Sequence, residues 1–282
     1  HEAKKFGAKT IGVGMNMTEA ARPLILDEAG GIGLFAVGYQ RGCKPAGEDK
    51  GGCLSWSEME VIRSVIQEIK TKCRWCVVVA HGGEEFTAIP SPYTRERYHA
   101  YLEMGADLVV CHHPHVPMNY ETVGDKMIFY SLGNFIFDTD YQRAQFNTEK
   151  GILLKLHFTE DSYSFEAFGL KINRENEHIE SAPLPRIFAD IQENDYNKLE
   201  PLAAKMFLAA TKRQQLFLYP DKFKDATEEQ WKAHFYEEKR SGRVPGEALD
   251  FQIIYPIAQE EAKGAWKTCK LEDVKAYILE QM

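Results

Sequence analysis

The chain has 282 residues, 44% of them hydrophobic and 27% charged, which suits one large α/β domain with an appendage or two modest domains. A formal net charge of -8, with no cluster of Lys and Arg to offset it, excludes a nucleic-acid binder that works by neutralising phosphates. No uninterrupted apolar run reaches the roughly 18 residues of a membrane span, so no transmembrane segment is predicted.

Residues 1–8 read as the end of a helix and Lys9–Val13 as a short strand closed by Gly14. Thr18–Pro23 reads as a helical turn capped by Thr18 and ended by Pro23. Leu24–Asp27 and Ile32–Tyr39 follow as the two strands of a hairpin around Gly30-Gly31. Cys43 and Cys53 flank a loop rich in Gly and Lys, where they either close a disulfide or stand as two thiols.

Met59, Ile62, Ile66 and Ile69 share one face of a helix predicted over Ser55–Lys72, with Ser55 or Ser57 as its cap. Cys76–Ala80 is an apolar strand of the kind buried on both faces of a parallel sheet, and it ends at His81. Cys73 and Cys76 have C-x-x-C spacing but no second ligand pair, so they read as structural. A second helix, Thr94–Gly105, stops at Gly105, and a second buried strand, Ala106–Cys111, ends at His112, His113 and His115.

Strand, helix and parallel strand form a right-handed crossover, which places both histidine-bearing strand ends on one edge of the sheet. Met127–Ser131, Gly151–Phe158 and Tyr163–Ile172 continue as strands. From Leu184 the composition turns to long polar helices, predicted at Asp190–Leu216, Glu228–Arg240, Leu249–Thr268 and Leu271–Met282. The aromatic residues of that region, from Phe207 to Trp266, read as packing surface.

The chemistry concentrates in the histidines. In an extended loop His113-Pro114-His115 sends both imidazoles to one side, because side chains alternate with period two. With His81 from the neighbouring strand end, three imidazoles suit Zn, Mn, Fe or Ni; the alternative is loop histidines satisfied by backbone carbonyls. His112 points the other way, as a supporting or structural group.

These residues also carry a family resemblance. His81-Gly-Gly-Glu-Glu85-Phe86, the Pro90-Ser91-Pro92 that follows, Gly105–Val116 with its His112-His113-Pro114-His115, and Tyr130–Phe137 with its Ser131-Leu132-Gly133-Asn134 resemble the motifs of CapA-type proteins. That family lies in the calcineurin-like metallophosphoesterase superfamily and is tied to bacterial capsule or poly-γ-glutamate work. Gly12–Asn16 with Glu19, Ala20 and Pro23 resembles an upstream family segment, and the likeness covers about residues 5–175.

The resemblance implies a four-layer αββα metallophosphoesterase-like sandwich, incomplete at the N-terminus, over residues 1–183, with a mainly helical extension over 184–282. It implies two divalent metal ions (Mn, Zn or Fe), held in part by His81, His113 and His115, and activating water for hydrolysis. Glu85 takes the place of a family acid that either supports a ligand histidine or serves in acid–base chemistry beside His112. Asn134 either holds a substrate oxygen or caps its turn.

The implied partner is an anionic polymer or phosphoester, with the helical extension as an assembly surface. The implied location is the bacterial cell surface, periplasm or exterior, any signal or anchor lying upstream of His1. The family's first Asp-x-His, bridging Asp and Asn-His motifs are expected upstream of His1 as well, leaving about half a metal site here. That gap supports a second reading, a non-catalytic surface or assembly protein that keeps the fold. Two departures alter the pocket wall: Gly82 stands where the family has Trp, and Cys111 where it has Gly.

Overall fold

The computed structural model describes residues 5–39, 43–87, 89–143, 145, 147–192, 196–197, 200, 203, 225, 227 and 229–230. In chain order the elements are β1 (Val13–Gly14), α1 (Met17–Ala20), β2 (Leu24–Leu26), β3 (Ile32–Gly38), β4 (Gly52–Cys53), α2 (Met59–Lys72) and β5 (Trp75–His81). They continue as α3 (Pro92–Met104), β6 (Leu108–His112), β7 (Tyr120–Val123), β8 (Lys126–Phe129), α4 (Asp140–Arg143), β9 (Lys150–Phe158), β10 (Tyr163–Asn173) and β11 (His178–Ala182).

The main sheet has six strands in the order β2-β3-β5-β6-β8-β7. Its four central strands run parallel, and β2 and β7 close the edges antiparallel. The crossovers through α2 and α3 put the C-terminal ends of β3, β5 and β6 side by side, with Gly38 opposite His81 and His81 opposite His112. A second, antiparallel sheet runs β11-β10-β9.

The alternating burial of the central strands explains the layers. Phe35, Val78, Val109 and Ile128 meet Ile62, Val65, Ile66 and Ile69 of α2 and Tyr98, Tyr101 and Leu102 of α3 on one face. Each fully buried isoleucine there contributes about 1.5–3 kcal/mol. On the other face Trp75, Val77, Leu108, Val110 and Phe129 pack on Ile152, Leu154, Leu156 and Phe165 of the three-stranded sheet. The chain is thus an α/β two-sheet sandwich of the metallophosphoesterase-like kind. Among the described residues helices cover one outer face, so three of the four expected layers are seen.

Helix α3 is the best signposted element: the Ser91 side chain accepts the Thr94 N–H, Pro92 opens the first turn, and Gly105 ends it at φ 118°. The other caps differ from expectation. Asn16, not Thr18, caps α1, its Oδ1 taking the Glu19 N–H at 2.9 Å. Helix α2 begins at Met59, because Leu54–Trp56 is drawn onto the end of β3 by Gly38 N–H to Leu54 O and Trp56 N–H to Gly38 O, both 2.9 Å. Ser55 and Ser57 bond each other instead, at 2.7 Å.

Asp190, expected to open a long helix, forms a bridge to Tyr120, and its carboxylate takes the Thr122 N–H at 3.0 Å. Most of that helix, and all but residues 229–230 of the three beyond it, lie outside the described residues. Beyond residue 184, Phe188 enters the core between the sheets, and Ile187, Ile191, Tyr196 and Ala203 join the core under the helices.

Candidate metal centre

The loops after β5 and β6 are stitched to each other and to β3 by backbone bonds: Tyr39 N–H to His81 O (2.8 Å), Gly82 N–H to His112 O (3.0 Å) and Phe86 N–H to Pro114 O (2.9 Å). Within these loops three residues other than glycine take left-handed backbone: Phe86 at φ 61°, His113 at 106° and His115 at 63°. Each such residue costs on the order of 1–3 kcal/mol, and strain of this kind concentrates where function over-determines the backbone. The histidine loop is therefore not extended. The imidazoles of His113 and His115 meet because the chain turns left-handed, and period-two alternation is not the cause.

One carboxylate oxygen of Glu85 and one ring nitrogen each of His113 and His115 lie within 4.8 Å of one another. Across that gap His113 Nε2 stands 3.9 Å from Glu85 Oε1. Two imidazoles and a carboxylate form a donor set suited to Zn, Mn or Fe. The His115 ring is clasped between Phe86 (5.8 Å, 26°) and Phe137 (5.0 Å, 23°).

Asn134 fixes the tautomer of His115. Its amide nitrogen donates to Gln142 Oε1 (3.2 Å) and to Thr148 O (3.0 Å), which turns its oxygen toward His115 Nδ1 at 2.9 Å. Nδ1 must then carry the proton, and Nε2 presents its lone pair. Replacing Asn134 by alanine frees the ring, and metal affinity is expected to fall about 10–100-fold with little change in fold, read by titrating metal into the apo variant.

Burial first, then the nearby His81 and His115, push the His113 imidazole down to about 3. His81 is lowered by burial and then by His115, and His112 by burial and then by His81. These three rings are neutral near pH 7, the form that binds metal.

Each residue expected at the site can now be placed. His113 and His115 converge, and Glu85 joins them directly. His81 stands beside the cluster, its ring centroid 4.9 Å from that of His113. His112 pairs with His81 across β5 and β6, on the strand face that carries Trp75, Val77, Leu108 and Val110. Asn134 holds His115.

Sequence reasoning missed Glu84 and Trp56. Glu84 turns away from its neighbour Glu85 and accepts the Thr94 hydroxyl at 3.1 and 3.2 Å, tying the loop to the first turn of α3. Burial pushes this carboxyl up, against hydrogen bonds from Ser91 and Thr94. Trp56 fills the space above Gly82, where an added Cβ would stand 2.3 Å from its ring. The indole is held beneath the Arg97 guanidinium at 4.6 Å and beside Tyr39 at 5.0 Å. A tryptophan from the approach to α2 thus occupies the volume beside position 82. Gly82→Ala is expected to destabilise by about 1–3 kcal/mol through overpacking, measured by denaturant unfolding.

Residues 1–139 match the family described as bacterial capsule synthesis protein PGA_cap. The PGA biosynthesis protein CapA of Bacillus subtilis (strain 168) is 30% identical over 148 residues, 51% of this chain and 38% of that protein. The capsule biosynthesis protein CapA of Bacillus anthracis is 27% identical over 157 residues, 54% of this chain and 37% of that one. The chain spans under two fifths of the length of these curated relatives.

Proposed function

From the premise that this chain belongs, through residues 1–139, to the bacterial capsule synthesis family PGA_cap, we propose that it is a metal-dependent hydrolase of the metallophosphoesterase type acting on capsule or poly-γ-glutamate material at the bacterial cell surface. The observation that supports this is the convergence of Glu85, His113 and His115 donor atoms within 4.8 Å at the C-terminal edge of the parallel sheet. Relatives named for capsule and PGA biosynthesis supply the biological setting. Among the described residues no helix is long and apolar enough to cross a membrane.

In this reading Glu85, His113 and His115 would hold a divalent ion, and His81, beside them, would be available as a ligand for a second. When bound, such ions supply Lewis acidity at a phosphoryl or carbonyl oxygen and make water acidic enough to ionise near neutral pH. The chain's own residues set the stage. Asn134 orients His115, the bond from Phe86 to Pro114 holds the two loops at fixed distance, and neutral His112 is placed at the strand end to accept a proton. With a net charge of -8 the protein repels an anionic polymer at long range, so attraction must be local, from the ions and from Lys44 and Lys50. In this reading residues 1–183 carry the hydrolase domain, and the segment beyond, anchored in its core by Ile187, Phe188, Ile191, Tyr196 and Ala203, serves assembly.

The test is elemental analysis of the whole chain, paired with hydrolysis of a phosphomonoester, a phosphodiester and poly-γ-glutamate by metal-loaded protein. Stoichiometric metal with turnover of one of these is expected. Stoichiometric metal without turnover of any favours the assembly protein instead, and absence of metal overturns both the centre and the hydrolase.

A further inference from the structure

We propose that Cys43 and Cys53 form an oxidation site, closing an intramolecular disulfide across the loop between them when the protein meets an oxidising disulfide donor. This goes beyond the hydrolase reading and does not depend on metal.

The backbone around both cysteines is held. Cys43 N–H donates to Tyr39 O at 3.0 Å, Cys53 N–H to Lys44 O at 2.8 Å, and Ala46 N–H to Cys53 O at 2.9 Å. Cys53 is also paired with Val13 through β1 and β4. The two sulfurs crowd one point above Gly38: a Cβ added there would lie 2.6 Å from Cys43 Sγ and 3.4 Å from Cys53 Sγ. Position 38 holds the one residue without a side chain to displace them.

Access is graded in the order the chemistry needs. Cys43 is partly exposed, whereas Cys53, Cys73, Cys76 and Cys111 are buried. Burial, and then the neighbouring Cys43, push the Cys53 thiol up to about 12, so Cys43 is the entry point. The Cys43 thiolate attacks one sulfur of a disulfide such as oxidised glutathione, and one glutathione thiolate leaves. Cys53 then loses its proton to water and attacks Cys43 Sγ, expelling the second glutathione thiolate from the mixed disulfide. Two protein thiols are oxidised and one external disulfide is reduced to two thiols.

The link would pin the loop under Tyr39, whose ring packs on His113 at 5.8 Å. Disulfides of this kind persist outside the reducing cytosol.

The experiment equilibrates the whole reduced chain with oxidised glutathione, blocks remaining thiols with N-ethylmaleimide, and maps the digest by mass spectrometry. A Cys43–Cys53 cross-linked peptide, two hydrogens lighter than its parts, is expected. Cys43 left carrying glutathione, joined to Cys269 or to a second copy, or blocked together with Cys53 by maleimide, overturns the proposal. As a second measurement, oxidation is expected to raise the Tm of the wild type by about 5–10 °C. The same rise in the partly exposed Cys43→Ser variant would also overturn it.

Discussion

His113→Ala is expected to empty the metal centre while leaving the fold intact. The ring supplies one of three donors within 4.8 Å, so its loss should cost more than the roughly 10–100-fold that removing a supporting hydrogen bond costs a metal site. Because burial pushes this imidazole down to about 3, competition from protons should not weaken its binding at any pH above about 4. Metal content by elemental analysis, alongside circular dichroism to show retained structure, checks the result. Unchanged metal in a folded variant would remove His113 from the ligand set.

The largest effect on stability is expected away from that centre, at Glu121. Its carboxylate is 3% exposed and takes bonds from Arg95 Nε (3.1 Å) and Nη2 (2.6 Å), from His99 Nε2 (3.1 Å) and from the Tyr130 hydroxyl. The Arg95 guanidinium in turn lies 4.4 Å over the Tyr196 ring, whose hydroxyl reaches Pro90 O at 3.0 Å. One buried carboxylate thus joins α3, β7 and the residue that follows β8 to the segment beyond residue 184. Glu121→Gln leaves the Arg95 cation without its counter-charge, and a loss of about 3–5 kcal/mol is expected in chemical unfolding.

The same carboxylate gives acid stability a definite sign. Burial alone would push it up, but the hydrogen bonds from His99, Arg95 and Tyr130 outweigh burial and hold it at about 2. A carboxyl held below its unfolded value of about 4.3 stabilises the fold fully above that pH, and the contribution drains away as pH falls toward 2. Wild-type stability should therefore drop across that interval, and the Glu121→Gln curve should be flatter there. Parallel slopes in the two proteins would show that Glu121 is not the group responsible.

Much of the architecture was legible in local pattern. The continuous apolar runs at Cys76–Ala80 and Ala106–Cys111, the helical spacing of Met59, Ile62, Ile66 and Ile69, and the stop at Gly105 are short-range signals, and each met its element within a few residues. The edge strands Tyr120–Val123 and His178–Ala182 were missed because half-exposed edges carry weak periodicity and owe their pairing to a neighbour already in place. Helix caps failed where tertiary contacts intervened, as when the end of β3 captured Leu54–Trp56 and delayed the start of α2.

For the site, the sequence alone determined which residues arrive at the sheet edge: strand ends and a right-handed crossover suffice to bring His81 and the His112–His115 run together. Only the tertiary structure decided which of them share a ligand volume. Left-handed backbone at Phe86, His113 and His115 is imposed by bonds between two loops, and no period in the chain encodes it. The placing of Trp56 over Gly82 likewise turns on a partner far along the chain. Local sequence sets what a residue can do, and the residues it meets across the fold set what it does, because those contacts are fixed only when the layers pack.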